Sequence, residues 1–152
     1  MSGVTPHLGV FAKYWEPGKV KTRLAVTIGN QAAATVYRVF VDILLRRFSD
    51  TGCSRELVFS PDSREQEFRE CVAEHQGKWV LQPQGPGDLG ERMHRFFQRT
   101  LAHSRKVILI GTDSPTFSAD HLGQTNELLD HKQVVLGPSE DGGYYLVAAN
   151  GA

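Results

Sequence analysis

The chain has 152 residues, in which 17 Lys and Arg balance 17 Asp and Glu. That length suits one domain that buries roughly two-thirds of the surface its unfolded form exposes, with no metal or disulfide staple required. Neutrality argues against a nucleic-acid binder resting on many backbone-phosphate contacts, no apolar run reaches the ~18 residues of a membrane span, and residues 1–5 lack the basic start and apolar core of a secretory signal. The expected setting is cytoplasmic, where Cys53 and Cys71, without C-x-x-C spacing, read as two reduced buried thiols. The six histidines include no H-x-x-x-H pair and point to no metal cluster.

In chain order, the apolar residues 8–12 precede Lys-Tyr-Trp-Glu-Pro-Gly, which predicts a buried strand entering a long loop. Ala33, Val36, Tyr37, Phe40, Val41, Leu44, Leu45 and Phe48 then recur at three and four, the pattern of an amphipathic helix over 30–48 with Asn30 as its cap. Residues 56–60 read as a second strand closed by Pro61-Asp62, after which Ser63 and Gln66 predict a capping box opening a helix to about His75. A third strand falls at 79–81, followed by the Gly- and Pro-punctuated loop 82–87. Leu89, Met93, Phe96, Phe97 and Leu101 mark the next helical face. The fourth strand is 106–110, Ser118 caps a helix over 119–130, the fifth strand is 133–136, and 144–149 is a final apolar run. Strands alternating with helices predict a three-layer α/β/α domain spanning 1–152, its sheet largely parallel with right-handed crossovers.

Open parallel sheets bind ligands at the carboxyl ends of their strands. Asp113 sits there, in Gly111-Thr112-Asp113-Ser114-Pro115, where proline stops the strand and leaves a carboxylate at a loop mouth suited to a divalent metal. Its bland alternative is a helix cap, a task Ser118 performs equally well. Lys13, Lys19, Lys21 and Arg23 crowd the loop after the first strand around Gly18, which reads as a phosphate cradle or as a solvated basic loop. Its order is not that of G-x-x-x-x-G-K-[ST]. Asp88, Gly90, Glu91 and Arg92 open a helix where backbone groups suit a base or ribose, although Asp88 alone would serve as an N-cap. Asp141 with Gly142 and Gly143 allows close backbone approach and a carboxylate for a metal or an acceptor hydroxyl; an ordinary Asp-Gly turn is the alternative. Trp15 in the first loop suits a substrate lid or a contact within a homo-oligomer.

Phe11-Ala12-Lys13, Pro17-Gly18-Lys19-Val20-Lys21-Thr22-Arg23-Leu24, Asp88-Leu89-Gly90-Glu91-Arg92-Met93, Gly111-Thr112-Asp113-Ser114-Pro115 and Gly137-Pro138 with Asp141-Gly142-Gly143-Tyr144-Tyr145-Leu146 resemble, in order and spacing, the bacterial DUF2064 proteins. These glycosyltransferase-like proteins are also labelled arsenosugar-biosynthesis or radical-SAM/selenodomain-associated transferases. The resemblance runs from about Leu8 to Ala149 and implies the nucleotide-diphospho-sugar transferase (GT-A) fold. It implies that Lys19, Lys21 and Arg23 hold the nucleotide phosphates and that Asp113 binds Mg2+ or Mn2+; with the loop readings above, the expected nucleotide contacts are Ala12, Lys13, Gly18, Lys19, Lys21, Arg23, Asp88, Gly90, Arg92, Thr112, Gly142 and Gly143, and the expected catalytic groups are Asp113, Asp141 and Lys21.

Two departures stand out. Gly111-Thr112-Asp113 offers one carboxylate where many glycosyltransferases carry Asp-x-Asp, and Asp-x-Pro is closer to the nucleotidyltransferase form. Similar proteins also continue past the Tyr-Tyr-Leu strand to another acidic metal ligand, so the usual C-terminal part of the fold is expected to be lacking here. The leading expectation is glycosyl transfer from a nucleoside-diphosphate sugar to a small-molecule acceptor. Nucleotidyl transfer from an NTP to a phosphorylated acceptor is second, and a nucleotide-binding module without turnover is third.

Overall fold

The computed structural model of the chain describes residues 3–75 and 79–151; Met1 and Ser2, part of the amino-terminal reading above, lie outside them. Six strands, β1 (His7–Lys13), β2 (Ser54–Ser60), β3 (Val80–Pro83), β4 (Lys106–Gly111), β5 (Val134–Pro138) and β6 (Tyr144–Asn150), form one sheet in the order β3-β2-β1-β4-β6-β5. β1 pairs in parallel with β2 and β4, and β2 with β3, whereas β6 runs antiparallel to both β4 and β5. The sheet is therefore largely parallel with one reversed strand, an α/β arrangement as the alternation of elements predicts. Among the described residues five helices flank it: α1 (Thr22–Ile28), α2 (Asn30–Arg47), α3 (Glu65–Ala73), α4 (Leu89–Leu101) and α5 (Ala119–Leu128).

Period-two alternation along β1 separates two cores. Leu8, Val10 and Ala12 join a cluster with Val41 and Leu44 of α2, Phe68 of α3 and Leu122 of α5. On the opposite face, Phe11 packs with Met93, Phe96 and Phe97 of α4. Gly9 sits against α4 for a steric reason, since a Cβ there would lie 2.3 Å from the Phe96 ring. Each fully buried Leu or Phe contributes roughly 1.5–3 kcal/mol, so these faces dominate what holds the sheet to its helices. Both cysteines are free and buried, and burial pushes the Cys71 thiol up to about 12, which leaves it unreactive.

Register aligns the carboxyl ends. Lys13 lies opposite Ser60, Phe59 opposite Pro83, and Phe11 opposite Gly111. Because Pro138 pairs with Tyr144, the turn 139–143 joining β5 to β6 comes back to that same edge. Five loops, those after β1, β2, β3 and β4 and the β5–β6 turn, therefore meet at one rim of the sheet.

Three local expectations change. The first loop contains α1, which buries none of its side chains. Gly29, not Asn30, caps α2, and Asn30 is the helix's first residue. Ser63 and Gln66 make no capping box, because residues 62–64 turn as a 3-10 helix and α3 starts at Glu65 without a side-chain cap. Ser118 does cap α5, its hydroxyl accepting the His121 N–H at 3.3 Å. Among the described residues no helix is long and apolar enough to cross a membrane.

Candidate functional site

Lys21, Arg23, Phe40, Asp113 and Asp141 line one open cleft of about 580 Å3 at the carboxyl edge of the sheet. Each comes from a different kind of support. Lys21 ends the loop after β1 and enters α1 in the left-handed conformation (φ 50°, ψ 45°), the one non-glycine at positive φ among the described residues. That backbone costs about 1 kcal/mol for an L-residue, so the loop holds Lys21 in place against local preference. Its Nζ lies 2.9 Å from Asp113 Oδ1 and 4.7 Å from the centroid of the Phe40 ring on α2. Asp113 follows the end of β4, and its side chain is 76% exposed against 20% for Lys21.

Asp141 reaches the cleft from the β5–β6 turn. Ser139 Oγ donates to it, the Gly143 N–H donates at 3.1 Å, and Gly142 makes the turn at φ 88°. Those hydrogen bonds, the Ser139 one first, together with the charge of Arg23, hold its carboxyl below the ordinary value. It is consequently a carboxylate that stays ionised and takes up protons poorly.

Beneath the cleft, Tyr37 of α2 ties two rims together. Its hydroxyl oxygen accepts the Lys13 N–H at 2.8 Å and shares a hydrogen bond of 2.7 Å with Thr112 Oγ1. Tyr37 and Thr112 are both buried, and burial is the main cause that pushes the phenol up to about 12, leaving it a neutral strut between the exits of β1 and β4. Sequence periodicity assigns Tyr37 and Phe40 to the apolar face of α2. The signal that marks Tyr37 apart is its hydroxyl, which needs a polar partner once buried.

The remaining candidates stand outside that cleft. Lys13 Nζ donates to the Lys19 carbonyl at 3.2 Å, Lys19 Nζ pairs with Glu16 at 3.2 Å, and Gly18 turns the loop at φ 86°. Trp15 is half-buried: it lies edge-on to Phe68 at 5.2 Å and under the Arg38 guanidinium at 4.5 Å, so it anchors the loop instead of projecting as a lid. Asp88 is the N-cap of α4 in a capping box with Glu91, the plainer of its two readings, and Gly90 follows in the first turn. Arg92 is occupied as well, its Nε donating to the Gly87 carbonyl at 2.8 Å and its guanidinium to Ser60 Oγ and Gln84 Oε1, both at 3.1 Å. Gln84, which the sequence places only in the loop 82–87 and gives no role, is buried and donates to the carbonyls of Ala12 (3.2 Å) and Val58 (3.0 Å), which takes up the Ala12 carbonyl. Loop 84–87 is thus a fixed wall.

The donors of the cleft fit a hard divalent cation: Asp113 and Asp141 offer carboxylate oxygens, and Asp113 already draws a cation to itself. A different cluster, Asp42, Glu74 and His75, brings three ligand atoms within 4.8 Å of one another. Histidine spacing alone does not point to it. Arg38, however, pairs with both Asp42 and Glu74, so its positive charge already occupies that cluster.

A family model, DUF2064, described as "uncharacterized protein conserved in bacteria", matches residues 44–152. A provisionally named nucleotide-diphospho-sugar transferase from Desulfovibrio desulfuricans G20 superposes with a TM-score of 0.87 at 31% identity, over 96% of this chain and 63% of that one. The chain therefore spans less than two-thirds of that relative's length. The 4-diphosphocytidyl-2C-methyl-D-erythritol synthase of Anaerococcus prevotii DSM 20548 shares the fold at a TM-score of 0.57 and 12% identity, over 97% of this chain and 70% of that one. CMP:2-keto-3-deoxy-manno-octonic acid synthetase, solved with CTP, does so at 0.50 and 11%, over 97% and 74%. No curated protein matches the chain.

Proposed function

The chain belongs to the DUF2064 family and has the nucleotide-sugar transferase fold, and on that footing we propose that it is a metal-dependent transferase of glycosyl groups from a nucleoside-diphosphate sugar to a small-molecule acceptor. The observation that carries this reading is the convergence of Lys21, Arg23, Asp113 and Asp141 on one cleft at the carboxyl edge. Two cations there suit a diphosphate, and two carboxylates leave a place for Mg2+ or Mn2+.

A divalent ion held by Asp113, with Asp141 within the same cleft, would neutralise diphosphate charge as a Lewis acid. Lys21 and Arg23 bind the phosphates and stabilise the negative charge that grows on the departing nucleoside diphosphate as the sugar–phosphate bond breaks. Asp141, held ionised by Ser139 and Gly143, accepts a hydrogen bond from the acceptor hydroxyl and orients it. Because its carboxyl is a weak base, Asp141 orients the acceptor without taking its proton early. Tyr37 keeps the two rims in register.

Nucleotidyl transfer is the second reading, favoured by the single carboxylate of Gly111-Thr112-Asp113. In it an acceptor phosphate attacks the α-phosphorus of an NTP and pyrophosphate leaves. Product analysis decides between the two: with Mn2+ and a panel of nucleotide sugars and NTPs, release of nucleoside diphosphate supports the first and release of pyrophosphate the second. Ligand-induced stabilisation with neither product means a binding module.

A further inference from the structure

Three lysines of the basic loop differ in what they hold. Lys13 donates to a loop carbonyl and Lys19 pairs with its neighbour Glu16, whereas Lys21 lies directly on the carboxylate of Asp113. Lys21 is also the residue whose backbone is forced left-handed, and its ammonium is braced from below by the Phe40 ring. The loop is thus shaped to put a positive charge on the oxygen that a metal ion would need. A divalent cation arriving alone meets that ammonium, and the repulsion at a few ångströms amounts to roughly tenfold or more in affinity.

We propose that Lys21 makes the Asp113 cation site conditional on phosphate: its ammonium occupies the carboxylate until a diphosphate draws it away, so the cleft takes a divalent cation together with a diphosphate and rejects the free cation. This rests on the reading of Asp113 as the cation ligand. The exchange is favourable with both ligands present, since the ammonium trades one mostly exposed carboxylate for a more highly charged diphosphate while the cation gains Asp113. By linkage, each ligand then raises the affinity for the other by the same factor. Lys21 thereby selects for ligands carrying a diphosphate, before any contact with base, sugar or acceptor.

The test uses Mn2+ and inorganic pyrophosphate as probes, with free Mn2+ followed by its electron paramagnetic resonance signal and pyrophosphate binding by thermal shift. Wild type should bind Mn2+ alone weakly, and Mn2+ with pyrophosphate should stabilise it by more than the two separately. Lys21→Met should bind Mn2+ alone about tenfold tighter than wild type and lose that synergy. Lys21→Gly, which favours the left-handed backbone and so relieves its strain, should do the same. Adding Asp113→Asn to either variant should abolish the gained Mn2+ binding. If both Lys21 variants bind Mn2+ no tighter than wild type while wild type keeps its Mn2+–pyrophosphate response, the gate is wrong and the cation site stands. If tightening is seen in only one of them, the effect belongs to that variant's loop and the gate is likewise overturned. Absence of Mn2+ binding in every protein, with or without pyrophosphate, overturns the cation site and the gate together.

Discussion

A lysine–aspartate pair marks each end of β4, and the two pairs behave differently. At the amino end Lys106, 1% exposed, places its ammonium 2.7 Å from Asp130 and donates to the Asn126 carbonyl at 3.0 Å. The hydrogen bond from Lys106 to Asp130 is the first cause holding the Asp130 carboxyl below its ordinary value. At the carboxyl end Lys21 meets Asp113 at a similar 2.9 Å; both carboxylates reach water, Asp130 at 51% and Asp113 at 76% exposure, but the Lys21 ammonium is less buried than that of Lys106 and has a ring, not a second oxygen, for company. The same two side chains make a rivet when the cation is fully buried with two acceptors, and an exchangeable contact when the cation is partly exposed with one. The nearby amino edge agrees: burial alone would raise the Glu56 carboxyl, but hydrogen bonds from His7 and Arg99 outweigh it and keep it ionised and fixed.

The largest effect expected from this contrast falls on the buried end. Lys106→Ala should lower stability by about 3 kcal/mol, because it opens space where the buried stem packed and leaves the Asn126 carbonyl without a donor, while half-exposed Asp130 turns to water. Lys106→Met keeps the stem and removes only the charge, so it should cost clearly less, on the order of 1 kcal/mol. Urea midpoints at pH 7 measure both. Equal losses for the two would mean that the ammonium, not its stem, carries the effect.

Tyr37→Phe tests the strut that separates the open end from collapse. It leaves the Lys13 N–H and the Thr112 hydroxyl without their shared partner, at a cost of about 2 kcal/mol. It should also weaken the Mn2+–pyrophosphate response, since the exits of β1 and β4 lose their tie. Alkaline titration gives a second readout. Tyr37 is neutral in the folded protein up to about 12 but ionises near 10.0 when unfolded. Its contribution is therefore full below pH 10 and is lost as pH rises toward 12, where the unfolded chain releases the proton first. The wild type should lose stability more steeply over that window than Tyr37→Phe does.

The contrast also explains what the sequence could disclose. Strands and long helices were legible because Leu8, Val10 and Ala12 alternate and because Val41, Leu44 and Leu45 fall at helical spacing, patterns that burial itself imposes. α1 escaped because its apolar side chains Leu24, Val26 and Ile28 are exposed, so no buried stripe marks it. Ser63 and Gln66 misled because a local spacing cannot tell a cap from the 3-10 turn that precedes α3. In the cleft, charged residues at strand ends stood out. Phe40 in its lining, Tyr37 beneath it and Gln84 in the neighbouring wall did not, since their roles depend on contacts across 19, 75 and 72 residues of chain, and no spacing rule reports them.

The smallest expected effect is the sharpest test of the contrast. Asp113→Asn removes the acid from a pair as close as that of Lys106 and Asp130, so contact distance alone would predict a comparable loss. Burial of the cation predicts otherwise: Asp113 faces water and Lys21 is less buried than Lys106, so removing the acid should lower the stability read from urea unfolding by less than about 0.5 kcal/mol. Raising the salt from about 0.05 to 0.5 M should shrink even that difference, because the screening length shortens from roughly 14 to roughly 4 Å, while the Lys106→Ala deficit persists. A carboxylate that contributes so little to the fold is free for a ligand. An Asp113→Asn loss approaching that of Lys106→Ala would instead make Asp113 a structural anchor, and would remove the physical ground for placing an exchangeable cation on it.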